Sequence, residues 1–184
     1  MKRNKFICLL LIMTLVLVLS GCKKEEKPDI QNMSETHTVS EDTPLSNIDV
    51  NGSGNLICTR EAMMPEGMSG EFKYSINYKD GEILVLHSME KVISDNKSQL
   101  DEYENSYKTI KDRYKSVKYY DITITRENNY VIYDSNINYG KLDFNELIDV
   151  EGNEYNLYDD NHLLLKKWYK FAKKAGMTCE GVIN

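Results

Sequence analysis

The sequence predicts an α+β fold, an antiparallel β-sheet built from hairpins with two amphipathic helices packed on it. Three observations carry that expectation. Apolar and polar residues alternate before Asp80-Gly81 and a second apolar run follows it. A later run switches to intervals of three and four. Nowhere do strand and helix patterns alternate as parallel βαβ units require.

Taken in order, Cys58 falls in a first strand. Phe72, Tyr74, Ile76 and Tyr78 then alternate with Glu71, Lys73, Ser75 and Asn77, the period of a half-buried strand. Asp80-Gly81 follows, and after it the run Ile83 to Met89. A tight hairpin turn needs positive φ, which Gly supplies without a Cβ clash, so the two runs are expected to pair. Leu100, Tyr103, Tyr107, Ile110, Tyr114 and Val117 recur at helical spacing with charged residues between them, and Ser94 or Asp95 is placed to cap the start. This tyrosine stripe could line a ligand groove, but packing on the sheet is the expectation. A second hairpin is expected from Lys118 to Thr125, through Glu127-Asn128-Asn129, and back along Tyr130 to Tyr133, with Ile137 to Tyr139 as its extension. Asp143-Phe-Asn-Glu146 has the form of a capping box and predicts a short helical turn over Phe144 to Ile148. The last helix is expected from about His162 to Ala175, burying Leu164, Leu165, Trp168, Phe171 and Ala172, with Gly176 as its left-handed cap.

Ahead of this domain stands a different kind of segment. Lys2, Arg3 and Lys5 precede the apolar stretch Phe6 to Leu19, which has signal-peptide length and is short for a membrane span. Leu19-Ser20-Gly21-Cys22 then resembles a bacterial lipobox, with Cys22 as the thiol that takes a diacylglycerol thioether. An ordinary cleaved signal peptide or a membrane anchor is the alternative. The expected organisation is a lipoprotein signal peptide over 1–21, lipidated Cys22 and a linker over 22–54, and a single domain over 55–184. The linker is rich in Lys, Glu, Ser, Thr, Asp and Asn. That composition buries too little apolar surface to order itself, and as a coil it would hold the domain roughly 30 Å from its anchor. Two or three acyl chains hold a protein stably on a bilayer, so the chain is expected on the extracytoplasmic face of the cell membrane.

Residues 1–21 carry three basic residues and no acid, which leaves 20 Lys and Arg against 29 Asp and Glu, a formal charge of −9. Such an acidic body disfavours nonspecific contact with nucleic acid and anionic phospholipid, and no phosphate-binding surface is expected.

Phe72-Lys-Tyr-Ser-Ile-Asn-Tyr-Lys-Asp-Gly81, Val85 to Glu90, Arg113-Tyr114-Lys115, the Tyr-rich hairpin and Asn138-Tyr-Gly-Lys-Leu-Asp-Phe-Asn-Glu-Leu147 together resemble the YehR-like bacterial lipoproteins. The resemblance spans about residues 70–150 and the Ala-Gly that closes the last helix. It implies a small lipid-anchored α+β domain and no particular activity. Cys58, Cys179 and the longer linker depart from the family pattern.

Of four cysteines, Cys8 leaves with the signal peptide and Cys22 takes lipid, so Cys58 and Cys179 remain together in an extracytoplasmic domain. That suggests a disulfide stapling the two ends of the domain, two separate thiols being the alternative. Catalytic patterns are weak. His87 and Ser88 are strand neighbours and point to opposite faces, so they form no nucleophile–base pair. The cluster Asp159-Asp160-Asn161-His162 offers cation ligands but equally suits a helix start, and Asp149-Val-Glu-Gly-Asn-Glu154 misplaces the glycine of a calcium loop. No catalytic residue, no metal and no cofactor is therefore expected. The expectation is a non-catalytic envelope module that is held on the membrane by its lipid and binds an envelope protein or the wall. A small-ligand binder with an apolar pocket between helix and sheet is the alternative.

Overall fold

The computed structural model describes residues 48–151, 157–159 and 161–182. The expected signal peptide, Cys22 and most of the expected linker lie outside them, as do 152–156, Asp160 and the last two residues. In chain order the elements are β1 (Gly54–Met63), β2 (Ser69–Lys79), β3 (Glu82–Ile93), α1 (Lys97–Tyr114), β4 (Tyr120–Arg126), β5 (Tyr130–Asn138), α2 (Phe144–Glu151), β6 (Tyr158–Asp159), β7 (His162–Leu163), α3 (Leu165–Lys174) and β8 (Thr178–Val182). Six strands form one antiparallel sheet in the order β4-β5-β3-β2-β1-β8, and β6 pairs with β7. The fold is α+β, as the sequence predicts.

Asp80 and Gly81 turn β2 into β3 with φ of 52° and 80°, the positive pair that the hairpin requires. Gly81 is constrained twice, because a Cβ there would lie 3.2 Å from the Val50 carbonyl oxygen. In β3 the register slips by one residue: Asn77 faces Val85 while Tyr78 faces Ile83, leaving Leu84 as an extra residue. Its carbonyl accepts from the Gly140 N–H at 3.2 Å. The slip puts both Ile83 and Leu86 on the buried side, with relative exposures of 2% and 5%.

Helices cover one face of the sheet. Phe72, Tyr74, Ile76 and Tyr78 of β2 point into it, as do Leu86, Ser88, Glu90 and Val92 of β3 and Val131, Tyr133, Ser135 and Ile137 of β5, all buried. The tyrosine stripe of α1 packs onto them rather than lining a groove: Tyr107 lies 5.1 Å from Tyr133 and Tyr114 lies 4.4 Å from Tyr120, centroid to centroid. On α3, Trp168 meets Tyr74 edge-on at 5.7 Å.

Two helix starts differ from expectation. Asn96, not Ser94 or Asp95, caps α1, its side chain accepting from the Ser98 N–H at 3.0 Å. Ser94 is used one step earlier, accepting from the Asn96 N–H and donating to Gln99. The last helix begins at Leu165 rather than near His162, and Leu164 occupies its N-cap position with no side-chain cap. His162 and Leu163 are held instead as a strand opposite Asp159 and Tyr158, and Leu164 bridges to Glu82. The free Leu165 N–H donates to the Gly81 carbonyl at 2.9 Å, so a backbone oxygen of the β2–β3 turn replaces the expected side-chain cap. Leu164 and Phe171 are only partly buried. At the other end Gly176, φ 77°, donates to Lys173 O and Met177 to Ala172 O, both at 3.0 Å. This left-handed cap reverses the chain into β8.

Candidate functional site

Among the described residues no helix covers the second face of the sheet. Across its middle row run Asp121, Asn136, His87, Ser75, Ile57 and Glu180; beside it run Thr123, Asp134, Met89, Lys73, Thr59 and Thr178. None of these residues is buried. Alternation explains the division, because each lies one position from a residue that points into the core. His87 Nε2 stands 3.0 and 3.1 Å from the two carboxylate oxygens of Asp134, both side chains being almost half exposed. Lys91 reaches Glu71 at 3.2 Å and lies over the Tyr130 ring at 5.2 Å. Ile57, Met89 and Ile132, all half-buried, are distributed among these pairs. The face is thus of mixed polarity, with apolar residues set between charged pairs.

His87 therefore belongs to this face and Ser88 to the core, as strand alternation predicts. His162 does not cap a helix: it sits in β7, its Nδ1 2.9 Å from Glu82 Oε2. Asp159 takes Lys167 at 3.6 Å. Among the described residues no three His, Cys, Asp or Glu side chains converge as a metal would need. Cys58 and Cys179 are disulfide-bonded. They face each other directly across β1 and β8, Cα to Cα 4.0 Å.

Beneath the open face lies a carboxylate that the sequence reading missed. Glu90, 1% exposed, sits on the covered side between Tyr133 of β5 and Phe72 of β2, and accepts from the Tyr74 hydroxyl at 2.9 Å. Burial pushes its carboxyl up to about 8, only partly opposed by the Tyr74 hydrogen bond. The signal was present: Ser88, Glu90 and Val92 share the buried phase of β3, so a charged residue in that phase is out of place. Glu151 at the end of α2 is a second such group, bonded by the Tyr114 hydroxyl at 3.0 Å and by Tyr158, and burial raises it to about 7. Glu90 is enclosed by aromatic rings and has no surface at which to meet a substrate, so it reads as a structural carboxylic acid.

No family model matches the chain, and no curated protein does. Two solved structures are similar to it. The NMR structure of the YehR protein of Escherichia coli is 17% identical, covering 73% of this chain and 94% of that one with a TM-score of 0.46. The NMR structure of a protein from Streptococcus pneumoniae TIGR4 is 14% identical, covering 87% and 99% with a TM-score of 0.45. Neither description names a ligand or a reaction.

Proposed function

We propose that the protein is a lipid-anchored, extracytoplasmic, non-catalytic interaction module of the bacterial cell envelope, of the YehR-like type, which engages an envelope protein or the wall through the open face of its sheet. The observation that carries this reading is the one-sided construction of the domain. Tyr74, Tyr133 and Tyr120 pack against helix rings on one sheet face, while the other presents half-buried apolar residues among paired charges. The lipobox-like Leu19-Ser20-Gly21-Cys22 supports the anchor.

Each half of the reading has its own test. Cys22→Ala should abolish lipid labelling and leave the protein unprocessed or released; a variant still acylated and membrane-bound at the wild-type level rejects the anchor. A photo-crosslinking residue at Met89 should trap a discrete envelope partner in cells, whereas one at Lys111 on the outside of α1 should not. Equal yields at both positions, or none at Met89, would reject the open face as the contact surface.

A further inference from the structure

The charge of the whole chain hides a local reversal. In ten residues α3 carries Lys166, Lys167, Lys170, Lys173 and Lys174 and no acid. At about 100° per residue, Lys166, Lys170, Lys173 and Lys174 fall in one stripe about 100° wide, opposite Leu165, Trp168 and Ala172. All four are exposed. Among the described residues none of them enters an ion pair, although Lys167 reaches Asp159 and, on α1, Lys97 and Lys108 pair with Asp101 and Glu104 of their own helix. Like charges three and four residues apart oppose helix formation, an effect offset at Lys173 and Lys174, which stand in the last turn where the helix dipole favours cations.

Placement adds a second observation. The Gly81 N–H donates to Gly52 O at 2.8 Å, and its carbonyl accepts from Leu165 at 2.9 Å. One residue thus joins the point where the chain comes in from the linker to the first residue of α3. Of the acids on this side, Glu82 pairs with His162, Asp159 pairs with Lys167, and Asp49 accepts from the Asn51 N–H.

We propose that the lysine stripe of α3 docks on the anionic phospholipid surface of the membrane that carries the anchor. The biological setting rests on the lipid-anchor reading; the affinity of the stripe for anionic lipid does not. Charge complementarity and the position of α3 beside the linker select this occupant. A basic residue at an anionic bilayer contributes roughly a fivefold gain in partition, so four together supply a gain on the order of several hundredfold, provided the helix comes within a Debye length of the headgroups. Because α3 lies on the covered side of the sheet, docking turns the open face outward. The balance of −9 over residues 22–184 therefore misleads about phospholipid, since binding depends on the charge that faces the lipid.

The test uses the chain from residue 22 onward with Cys22→Ser, so that no acyl chain contributes. It should co-sediment with phosphatidylcholine vesicles containing phosphatidylglycerol, be released by high salt, and ignore vesicles of phosphatidylcholine alone. The combined variant Lys166→Gln, Lys170→Gln, Lys173→Gln and Lys174→Gln should lose binding at least a hundredfold with an unchanged circular dichroism spectrum. An equal charge change on α1 and after it, Lys108→Gln, Lys111→Gln, Lys115→Gln and Lys118→Gln, should bind like the parent. No binding by the parent, or equal loss in both variants, overturns the proposal. Retention on a soluble phosphodiester polymer without vesicle binding also overturns it, in favour of a wall polymer. Failure of the anchor reading is registered separately, by acylation of the full chain.

Discussion

Replacing Cys58 and Cys179 together by Ala should lower the free energy of unfolding by about 5 kcal/mol, the chain-entropy value for a cross-link with a sequence separation of 121. The comparison that checks it is urea unfolding of the parent and the double variant. The stability of a domain this size is itself only about 5–15 kcal/mol, so the variant should stand near the limit of folding. The reason lies in the position of β8, an edge strand of five residues whose side chains are exposed apart from the partly buried Cys179. Without the bond only its ladder to β1 holds it, and hydrogen exchange should show Thr178–Val182 opening first. A loss below about 1 kcal/mol would mean that the unfolded chain already keeps its ends together, or that the ladder suffices.

The second large effect concerns pH. The Glu90 carboxyl titrates at about 8 when folded, against an ordinary 4.5. Below pH 4.5 both states hold the proton and the contribution to stability is fully present. Between 4.5 and 8 the unfolded chain releases a proton that the native state retains, so stability falls as pH rises; above 8 it levels off. The loss is on the order of 5 kcal/mol. Glu151, raised to about 7, acts in the same direction over a narrower window. The domain should therefore unfold at markedly higher urea concentration at pH 5 than at pH 8.5, against the usual direction for carboxylates. Glu90→Gln cannot ionise and should remove most of the slope while retaining an acceptor for the Tyr74 hydroxyl. Stability that rises from pH 5 to 8.5, or a Gln variant with an undiminished slope, would contradict the assignment.

Much of the architecture was legible because local signals agreed with the tertiary outcome. Asp80-Gly81 specifies its turn by φ alone, and the α1 tyrosines recur at a spacing only a helix can bury on one side. Other features depend on contacts that no local pattern contains. Strand β8 has one aliphatic residue, and its pairing with β1 is defined by a chain segment more than a hundred residues away. The start of α3 is set by the Gly81 carbonyl, and the favourable capping chemistry of Asp159–His162 is overridden by pairing with β6. The Leu84 bulge is invisible in an all-apolar run, where either phase looks buried. Of the candidate site, the separation of His87 from Ser88 followed from strand alternation. The bareness of the outer face did not, because polar positions on a strand read alike whether solvent or a second layer covers them. The lysines of α3 were hidden by averaging over the chain.

The Cys58–Cys179 bond has a mechanical consequence. It closes nearly the whole domain into a covalent ring, with β1 entering the ring four residues after it begins. Tension drawn between the two ends of the domain would pass from Cys58 to Cys179 through sulfur, and the backbone between them would carry little of the load. Pulled on from its ends, such a domain can lengthen only by the few residues outside the ring, and the sheet's outward face would keep its shape under strain.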